Sequence, residues 1–253
     1  MFLNSVYRWI TIVLNNQSVL NSKRSRLVKR RAKAVEARYG VKYIPCVNFP
    51  MDVIWGDYSQ VDSFLPSPHS VVVDVGANIG DWAIIVAKHY NAFVVAVEPV
   101  ISLFKNLEMN VQLNSLNGCI KSINCALGDH VGTMHLSNDT NTGYAMASDG
   151  KIGTEVEAIG DDYPVETLDN LATRLNLQSV DLVKIDVEGS EFAVLKGSTC
   201  TLARFKPKVM VEVHSQLLKK QVLGLVREYN YSLIHEKVNF HNSISVLYLQ
   251  ANQ

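Results

Sequence analysis

The chain has 253 residues, of which 47% are hydrophobic, and its 24 lysines and arginines balance 24 aspartates and glutamates. This length suffices for one α/β domain with an additional N-terminal segment, and the zero net charge gives no general bias toward nucleic acid. The four cysteines have no C-x-x-C spacing, which excludes a zinc or disulfide framework and favours reduced thiols in a cytoplasmic protein. We predict an N-terminal helical and basic arm with its lead-in over residues 1–65 and a larger domain over residues 66–253.

The first 38 residues differ in composition from the rest of the chain. Apolar residues recur at helical spacing over residues 2–14, and residues 23–38 hold eight basic groups against one acid, Glu36. The apolar stretch is too short and too polar to span a bilayer, and it lacks the features of a signal peptide. Two interpretations stay open. The arm either packs on its own domain or is amphipathic and contacts an anionic membrane surface or another polyanion.

A buried strand, a glycine turn and a second strand ending in an acid come next. Val71–Val75 is a mostly β-branched run typical of a parallel strand. The loop of residues 76–80 turns sharply at its glycines, and a helix begins near Asp81. The second strand, residues 94–97, is followed by Glu98, whose carboxylate can accept hydrogen bonds from both hydroxyls of a ribose.

The spacing of this loop indicates which nucleoside it would bind. Its G-x-x-x-G pattern differs from the G-x-G-x-x-G of dinucleotide sites and lacks the lysine and hydroxyl of a P-loop. Asp81 at the helix start would also repel phosphate. The loop therefore favours a ligand that has no phosphates and carries positive charge, and S-adenosylmethionine fits that description. Its methionine part would be held by Gly76, Ala77, Asn78 and Gly80.

The remaining elements alternate between helices and strands, as an α/β fold requires. We predict helices over residues 101–113, 168–175 (capped by Thr167), 190–197 and 217–229. Strands are predicted over residues 119–126, 180–187 and 208–214, with a terminal hairpin of residues 231–234 and 243–249. The polar stretch 128–160 is predicted to be a β excursion with strand pieces at 133–137 and 154–159.

Several candidate site residues fall at the carboxyl ends of predicted strands. They are Gly76, Glu98, Ala126, Asp186 and His214. Ligands of open α/β sheets bind beyond these ends, so we expect these residues to converge on one rim. The backbone of Ala126 and Leu127 would border the adenine of the cofactor.

The acceptor side of this rim carries candidate catalytic groups. Asp186 and Glu188 are two residues apart at a strand end, as are Glu212 and His214, so each pair is expected to point to one side. His214 titrates near neutrality and is the candidate base, with Asp186 and Glu212 beside it. Removing the proton of a hydroxyl acceptor in this way contributes roughly 10²–10⁴-fold in rate.

Each of these residues also has a simpler interpretation. Lys184 can pair with a nearby acid, and Glu191 can charge the first turn of its helix. Asp186 can bind the amino group of the cofactor, and His214 can be a buried structural residue. Asp186, Glu212 and His214 can also ligate a divalent cation, but the sequence has no dedicated metal spacing, so we expect no metal site.

Six motifs occur in the order and spacing seen in FkbM-type methyltransferases. They are VDVGANIG at 73–80, VEP at 97–99, NCALGD at 124–129, TLD at 167–169, DLVKIDVEGSE at 181–191 and EVH at 212–214. This resemblance covers about residues 70–235. It implies a class I methyltransferase fold, a Rossmann-like α/β domain with a seven-stranded, mostly parallel sheet, helices on both faces and a reversed last strand. It also implies methyl transfer from S-adenosylmethionine, usually to a hydroxyl, and it leaves residues 1–65 uncovered.

Taken together, these features predict an O-methyltransferase acting on a small molecule, a sugar or a lipid-linked glycan. One alternative is a protein or nucleic-acid methyltransferase recruited by the basic arm. The chain lacks the Asn/Asp-Pro-Pro-aromatic tetrapeptide of many amino-group methyltransferases, so we do not expect nucleic acid as a partner. The other alternative is a non-catalytic module that only binds the cofactor. Peripheral membrane contact through residues 1–38 is a further hypothesis.

Overall fold

The structure is a computed structural model that describes residues 36, 39–43, 61–138, 145–147, 160–238 and 244–252. The apolar pattern at residues 2–14, nearly all of the basic segment and the predicted strand piece at 154–159 lie outside these residues. Within the described ranges, no helix is long and apolar enough to cross a membrane.

The described residues form eleven strands and six α-helices with defined bounds. The strands are β1 (Val71–Val75), β2 (Phe93–Val97), β3 (Ile120–Ile123), β4 (Ala126–Leu127), β5 (Gly132–Asn138), β6 (Ala145–Ala147), β7 (Gly160–Glu166), β8 (Leu182–Ile185), β9 (Lys208–Val213), β10 (Tyr231–Val238) and β11 (Ser245–Ala251). The helices are α1 (Asp81–Tyr90), α2 (Ile101–Leu113), α3 (Leu168–Arg174), α4 (Glu191–Lys196), α5 (Thr199–Phe205) and α6 (Gln216–Glu228).

Seven of the strands form one sheet in the order β10-β11-β9-β8-β1-β2-β3. Neighbouring strands from β9 through β8, β1 and β2 to β3 are parallel. Among the described strands of this sheet, β11 is the reversed one, because it runs antiparallel to both of its neighbours, β9 and β10. The predicted fold class, with its mostly parallel sheet and reversed last strand, is confirmed.

Helices cover both faces of this sheet. Because successive strand residues point to opposite faces, neighbouring residues of one strand pack against different helices. Val72 belongs to one buried cluster with Ile84 of α1 and Leu107 of α2. Val73, the next residue, belongs to a second cluster with residues of α3, α4, α5 and α6. The β-branched runs of β1 and β2 are therefore buried on both faces, which explains why they are almost continuously apolar.

Several predicted bounds differ from the structure. The predicted third strand, residues 119–126, ends at Ile123, and Ala126 instead starts β4 of a separate four-stranded sheet ordered β4-β7-β5-β6. The prediction missed β7, where Pro164 and two aspartates interrupt the apolar alternation, and it missed the short helix α5. The predicted piece at 133–137 is confirmed as part of β5, and Thr167 caps α3 by accepting from the backbone N–H of Asn170 at 3.1 Å.

The predicted fourth strand also ends early, and this changes the argument for its acids. It ends at Ile185, so Asp186 is the first residue of a loop. Glu188 and Gly189 in this loop have positive φ angles of 54° and 112°. The premise that Asp186 and Glu188 lie on a strand is therefore wrong, although both carboxylates still come to lie near His214.

Part of the lead-in packs into the domain. Val41 and Tyr43 are buried in the same cluster as α1 and α2. The Tyr43 hydroxyl donates to the backbone carbonyl of Asp81, and the backbone N–H and C=O of Lys42 both bond the Asn114 side chain. These residues therefore belong to the same core as the sheet.

Candidate active site

The candidate residues of four neighbouring strands lie along one rim of the sheet. Gly76, Glu98, Asp186 and His214 each come directly after the last residue of β1, β2, β8 and β9. Since these strands are parallel neighbours, their carboxyl ends lie side by side. The predicted convergence of these four residues is confirmed.

The glycine loop after β1 is held from two sides. The backbone N–H groups of Gly76 and Ala77 both donate to the Val97 carbonyl, at 3.0 and 2.9 Å. Gly76 has φ 78°, and a Cβ there would lie 1.9 Å from the Asp186 carbonyl oxygen. The β1 loop and the β8 loop therefore touch through their backbones, and only glycine fits between them.

Asn78 offers an acceptor at the centre of the loop. Its φ is 53°, and its side-chain Oδ1 is buried without a hydrogen-bond partner among the described residues. Buried polar atoms of this kind are rare because leaving one unsatisfied costs about 1–3 kcal/mol. A ligand that donates to this oxygen would remove the cost.

Glu98 is hydrogen-bonded to the same loop. Its Oε2 accepts from the backbone N–H of Asn78 at 2.8 Å, and its Oε1 accepts from the N–H of Val100 at 3.0 Å. Burial raises the pKa of Glu98 to about 7 although these bonds favour its charged form. Asn124, which the sequence analysis did not single out, fixes the turn after β2 by donating to the carbonyls of Glu98 and Pro99.

A buried ion network joins β1, β8 and the start of α1. Lys184 Nζ is 3.2 Å from Asp74 Oδ1 and 3.5 Å from Asp186 Oδ2, which confirms that this lysine pairs with acids. Burial lowers the pKa of Lys184, but Asp74, Asp186 and Asp81 together raise it above its ordinary value. Burial raises the pKa of Asp81 to about 6. The lysine thus compensates acids from three elements and holds Asp186 at the rim.

His214 is surrounded by acids. Its Nδ1 lies 3.0 Å from Glu191 Oε1, and its Nε2 lies 3.2 Å from Glu188 Oε2 and 3.8 Å from Glu212 Oε1. Burial lowers the pKa of His214, but the bond to Glu191 and the charges of all three acids raise it to about 9. Burial raises the pKa of Glu188 to about 7. His214 therefore carries a proton at neutral pH in this arrangement, and it can accept another group's proton only from its neutral form.

Asp186, Glu212 and His214 each offer one ligand atom, and these atoms lie within 4.8 Å of one another. This spacing would suit a divalent cation with oxygen and imidazole ligands. Two of the three residues already have close charged partners, since Asp186 pairs with Lys184 and His214 with Glu188 and Glu191.

Ala126 and Leu127 do not lie directly at the end of a strand of the seven-stranded sheet. Both are buried, and they pair with Val165 and Glu166 of β7 in the second sheet. Their segment follows β3, and Ala126 lies three residues beyond Ile123, the last residue of that strand. Their contact with an adenine stays a prediction.

The sheet order and its reversed strand are those of the class I methyltransferase fold. Residues 74–233 match the methyltransferase FkbM domain, and the chain belongs to that family.

Three proteins illustrate the similarity. Methyltransferase sdnD of Sordaria araneosa is 24% identical over 220 residues, which cover 74% of this chain and 83% of that protein. Hexuronic acid methyltransferase AglP of Haloferax volcanii is 30% identical over 175 residues, which cover 67% of this chain and 66% of that protein. The solved structure of methyltransferase FkbM from Methylobacillus flagellatus has a TM-score of 0.56 at 18% identity and shows the common fold. The similarity covers 76% of this chain but only 46% of the solved chain.

Proposed function

We propose that the protein transfers the methyl group of S-adenosylmethionine to a hydroxyl of a small molecule, a sugar or a lipid-linked glycan. The observation that carries this proposal is the rim itself. Beyond the end of β1 lies a buried amide oxygen with no partner in the described part of the chain, and a buried carboxylate follows β2. A histidine within an acidic cluster follows the end of β9. The carboxylate and the amide oxygen suit binding of a nucleoside cofactor. The histidine suits removal of a proton from an acceptor.

The residues of the glycine loop fit the cofactor. Glu98 retains lone pairs for two ribose hydroxyls beyond its two backbone bonds, since each carboxylate oxygen can accept more than once. Asn78 Oδ1 would accept from the ammonium group of the methionine part, with Gly76, Ala77 and Gly80 allowing close approach of the backbone. When bound, S-adenosylmethionine supplies an electrophilic methyl group on a sulfonium that leaves as a thioether.

The chain's own groups then serve the acceptor. The neutral form of His214 would take the hydroxyl proton at Nε2, and Glu188 at 3.2 Å from that nitrogen stabilises the imidazolium that results. Asp186, held by Lys184, would orient either the acceptor or the cofactor's amino group. Fixing both reactants in this way can contribute on the order of 7–11 kcal/mol to lowering the barrier.

A hydroxylated acceptor is favoured over an amine for two reasons. The chain lacks the Asn/Asp-Pro-Pro-aromatic tetrapeptide that holds a planar nitrogen in many amino-group methyltransferases. In addition, a 30% identical relative bears the name of a hexuronic acid methyltransferase. These points support the proposal for O-methylation of a sugar-like molecule without identifying the acceptor.

The spacing of Asp186, Glu212 and His214 favours one variant of this mechanism, in which a divalent cation binds the acceptor oxygen. We propose the metal-independent route because Lys184 already pairs with Asp186 and Glu188 lies 3.2 Å from Nε2 of His214. Addition of chelator followed by magnesium separates the two routes. Loss of activity with chelator, restored by magnesium, would favour the cation.

A mass-spectrometric screen tests the proposed activity. Extract fractions are incubated with the protein and S-adenosylmethionine, and a gain of 14 daltons is sought in hydroxylated compounds. The His214→Ala variant serves as the control for background methylation. Tight binding of S-adenosylhomocysteine without any methylated product would instead support a non-catalytic binding module.

A further inference from the structure

We propose that Glu191 is a positioning residue whose buried carboxylate fixes the ring orientation of His214 and directs Nε2 toward the acceptor. This inference rests on the proposed function, in which His214 faces the acceptor hydroxyl.

The burial of Glu191 shows that it does more than charge a helix start. It is the first residue of α4, and its side chain is fully buried. By contrast, the first-turn acid of α3, Asp169, caps α5 by accepting from the backbone N–H groups of Cys200 and Thr201. Glu191 makes no such helix cap, because its bonds run to the loop before α4 and to the end of β9.

A single oxygen of Glu191 makes both of these contacts. Oε1 lies 3.0 Å from the backbone nitrogen of Gly189 and 3.0 Å from Nδ1 of His214. The unusual turn at Glu188 and Gly189, both with positive φ, bends the loop so that its N–H reaches the carboxylate. The carboxylate therefore joins the β8 loop to the end of β9, although His214 lies 23 positions further along the chain.

Holding Nδ1 determines where the other ring nitrogen lies. A half-turn of the imidazole would replace Nδ1 by a carbon and break the bond to Glu191, so this bond selects one ring orientation. In that orientation Nε2 lies beside Glu188 and Glu212 at the half-buried side of the cluster. A carboxylate that accepts from Nδ1–H also keeps the proton on that nitrogen, which leaves the Nε2 lone pair for the acceptor when the ring is neutral.

The Glu191→Gln variant tests this role, because glutamine preserves the size and one acceptor oxygen but removes the charge. Asp181→Asn is the matched control. Asp181 accepts from the backbone N–H of Val71 at the opposite end of β8, far from the rim. Calorimetry with S-adenosylhomocysteine reports the cofactor pocket, and nuclear magnetic resonance of imidazole N–H groups reports the His214 ring.

In the wild-type protein we expect an exchange-protected Nδ1 proton that is absent from the His214→Ala variant. In the Glu191→Gln variant this proton should exchange faster, because a neutral amide oxygen is a weaker acceptor than a carboxylate, while affinity for S-adenosylhomocysteine changes less than about twofold. With an acceptor from the 14-dalton screen, kcat should fall roughly 10- to 100-fold with little change in KM, which is less than the 10²–10⁴-fold expected of a base itself. The Asp181→Asn variant should retain the wild-type kcat and the protected proton.

Absence of a protected Nδ1 proton in the wild-type protein would overturn the proposal, and this measurement needs no variant to fold. An unchanged kcat in a folded Glu191→Gln variant would overturn it as well. Failure of the proposed function gives a different result. If neither cofactor binding nor a methylated product is found, the proposed function is wrong, whether or not the Nδ1 proton of His214 is protected.

Discussion

Glu98 provides a test in which pH changes cofactor affinity and stability in opposite directions. The side chain is buried, with 4% of its surface exposed, and its pKa is raised to about 7 from an ordinary value of 4.5. Ribose hydroxyls donate hydrogen bonds, so they favour the ionised carboxylate. Below pH 7 most molecules carry a proton on Glu98, and cofactor binding must remove it.

The magnitudes follow from this pKa. At pH 6 about a tenth of the free protein has Glu98 ionised, so affinity for S-adenosylhomocysteine should be up to roughly tenfold weaker than at pH 8. Stability of the free protein changes the other way. Because the pKa of Glu98 is raised in the folded protein, its protonation contributes fully to the free energy of unfolding below pH 4.5. This contribution is lost as pH rises through about 7. The difference amounts to about 3 kcal/mol.

Calorimetric titrations with S-adenosylhomocysteine between pH 5.5 and 8, in buffers of different ionisation enthalpy, measure affinity and proton release together. The Glu98→Gln variant should bind more weakly by roughly 1.5–3 kcal/mol for each charge-assisted bond lost, and the part of the pH dependence that Glu98 causes should disappear. Thermal melting of the free protein at the same pH values measures the opposite trend. Equal affinity for wild type and variant, without proton release, would refute the ribose assignment.

Three further predictions concern catalysis, packing and the arm. The His214→Ala variant should lose roughly 10²–10⁴-fold in turnover while cofactor affinity stays nearly intact; loss of the fold or of cofactor binding would favour a structural role. The Gly197→Ala variant should lose roughly 1–3 kcal/mol of stability in denaturant melts, since a Cβ would lie 1.9 Å from the Gly128 carbonyl oxygen. Gly224→Ala, with open space at that position, should instead gain roughly 0.5–1 kcal/mol. Residues 1–38 should bind anionic but not neutral vesicles at low salt if they contact membranes, as co-sedimentation with and without the arm would show; an unchanged soluble fraction would instead favour an arm that packs on its own domain.

The sequence was most informative where the signal is local. The strand Val71–Val75, the glycine loop and Glu98 were predicted because β-branched runs and glycine turns are encoded in a few adjacent residues. The helix Ile101–Leu113 was predicted with the bounds that the structure shows. These elements also carry the cofactor half of the candidate site.

The acceptor half was harder to predict because it depends on contacts between distant residues. The end of β8 at Ile185 could not be predicted from a strand-like pattern that continues through Val187, so Asp186 and Glu188 were wrongly placed on a strand. Glu191 was interpreted as a charge at a helix start, since nothing local indicates its contact with His214. Similarly, β7 is a strand because it pairs with β5 across a long insertion, although Pro164 weakens its own pattern.

The contact between Gly76 and the Asp186 carbonyl affects how mutational surveys of this family should be interpreted. Any side chain at position 76 would collide with the backbone of the neighbouring β8 loop, whether or not a cofactor is present. A survey that records only activity would therefore count Gly76 as a cofactor residue for the wrong reason. The Asn78→Asp substitution keeps the side-chain size and tolerates the positive φ of 53° at this position, so it separates ligand recognition from steric exclusion more cleanly.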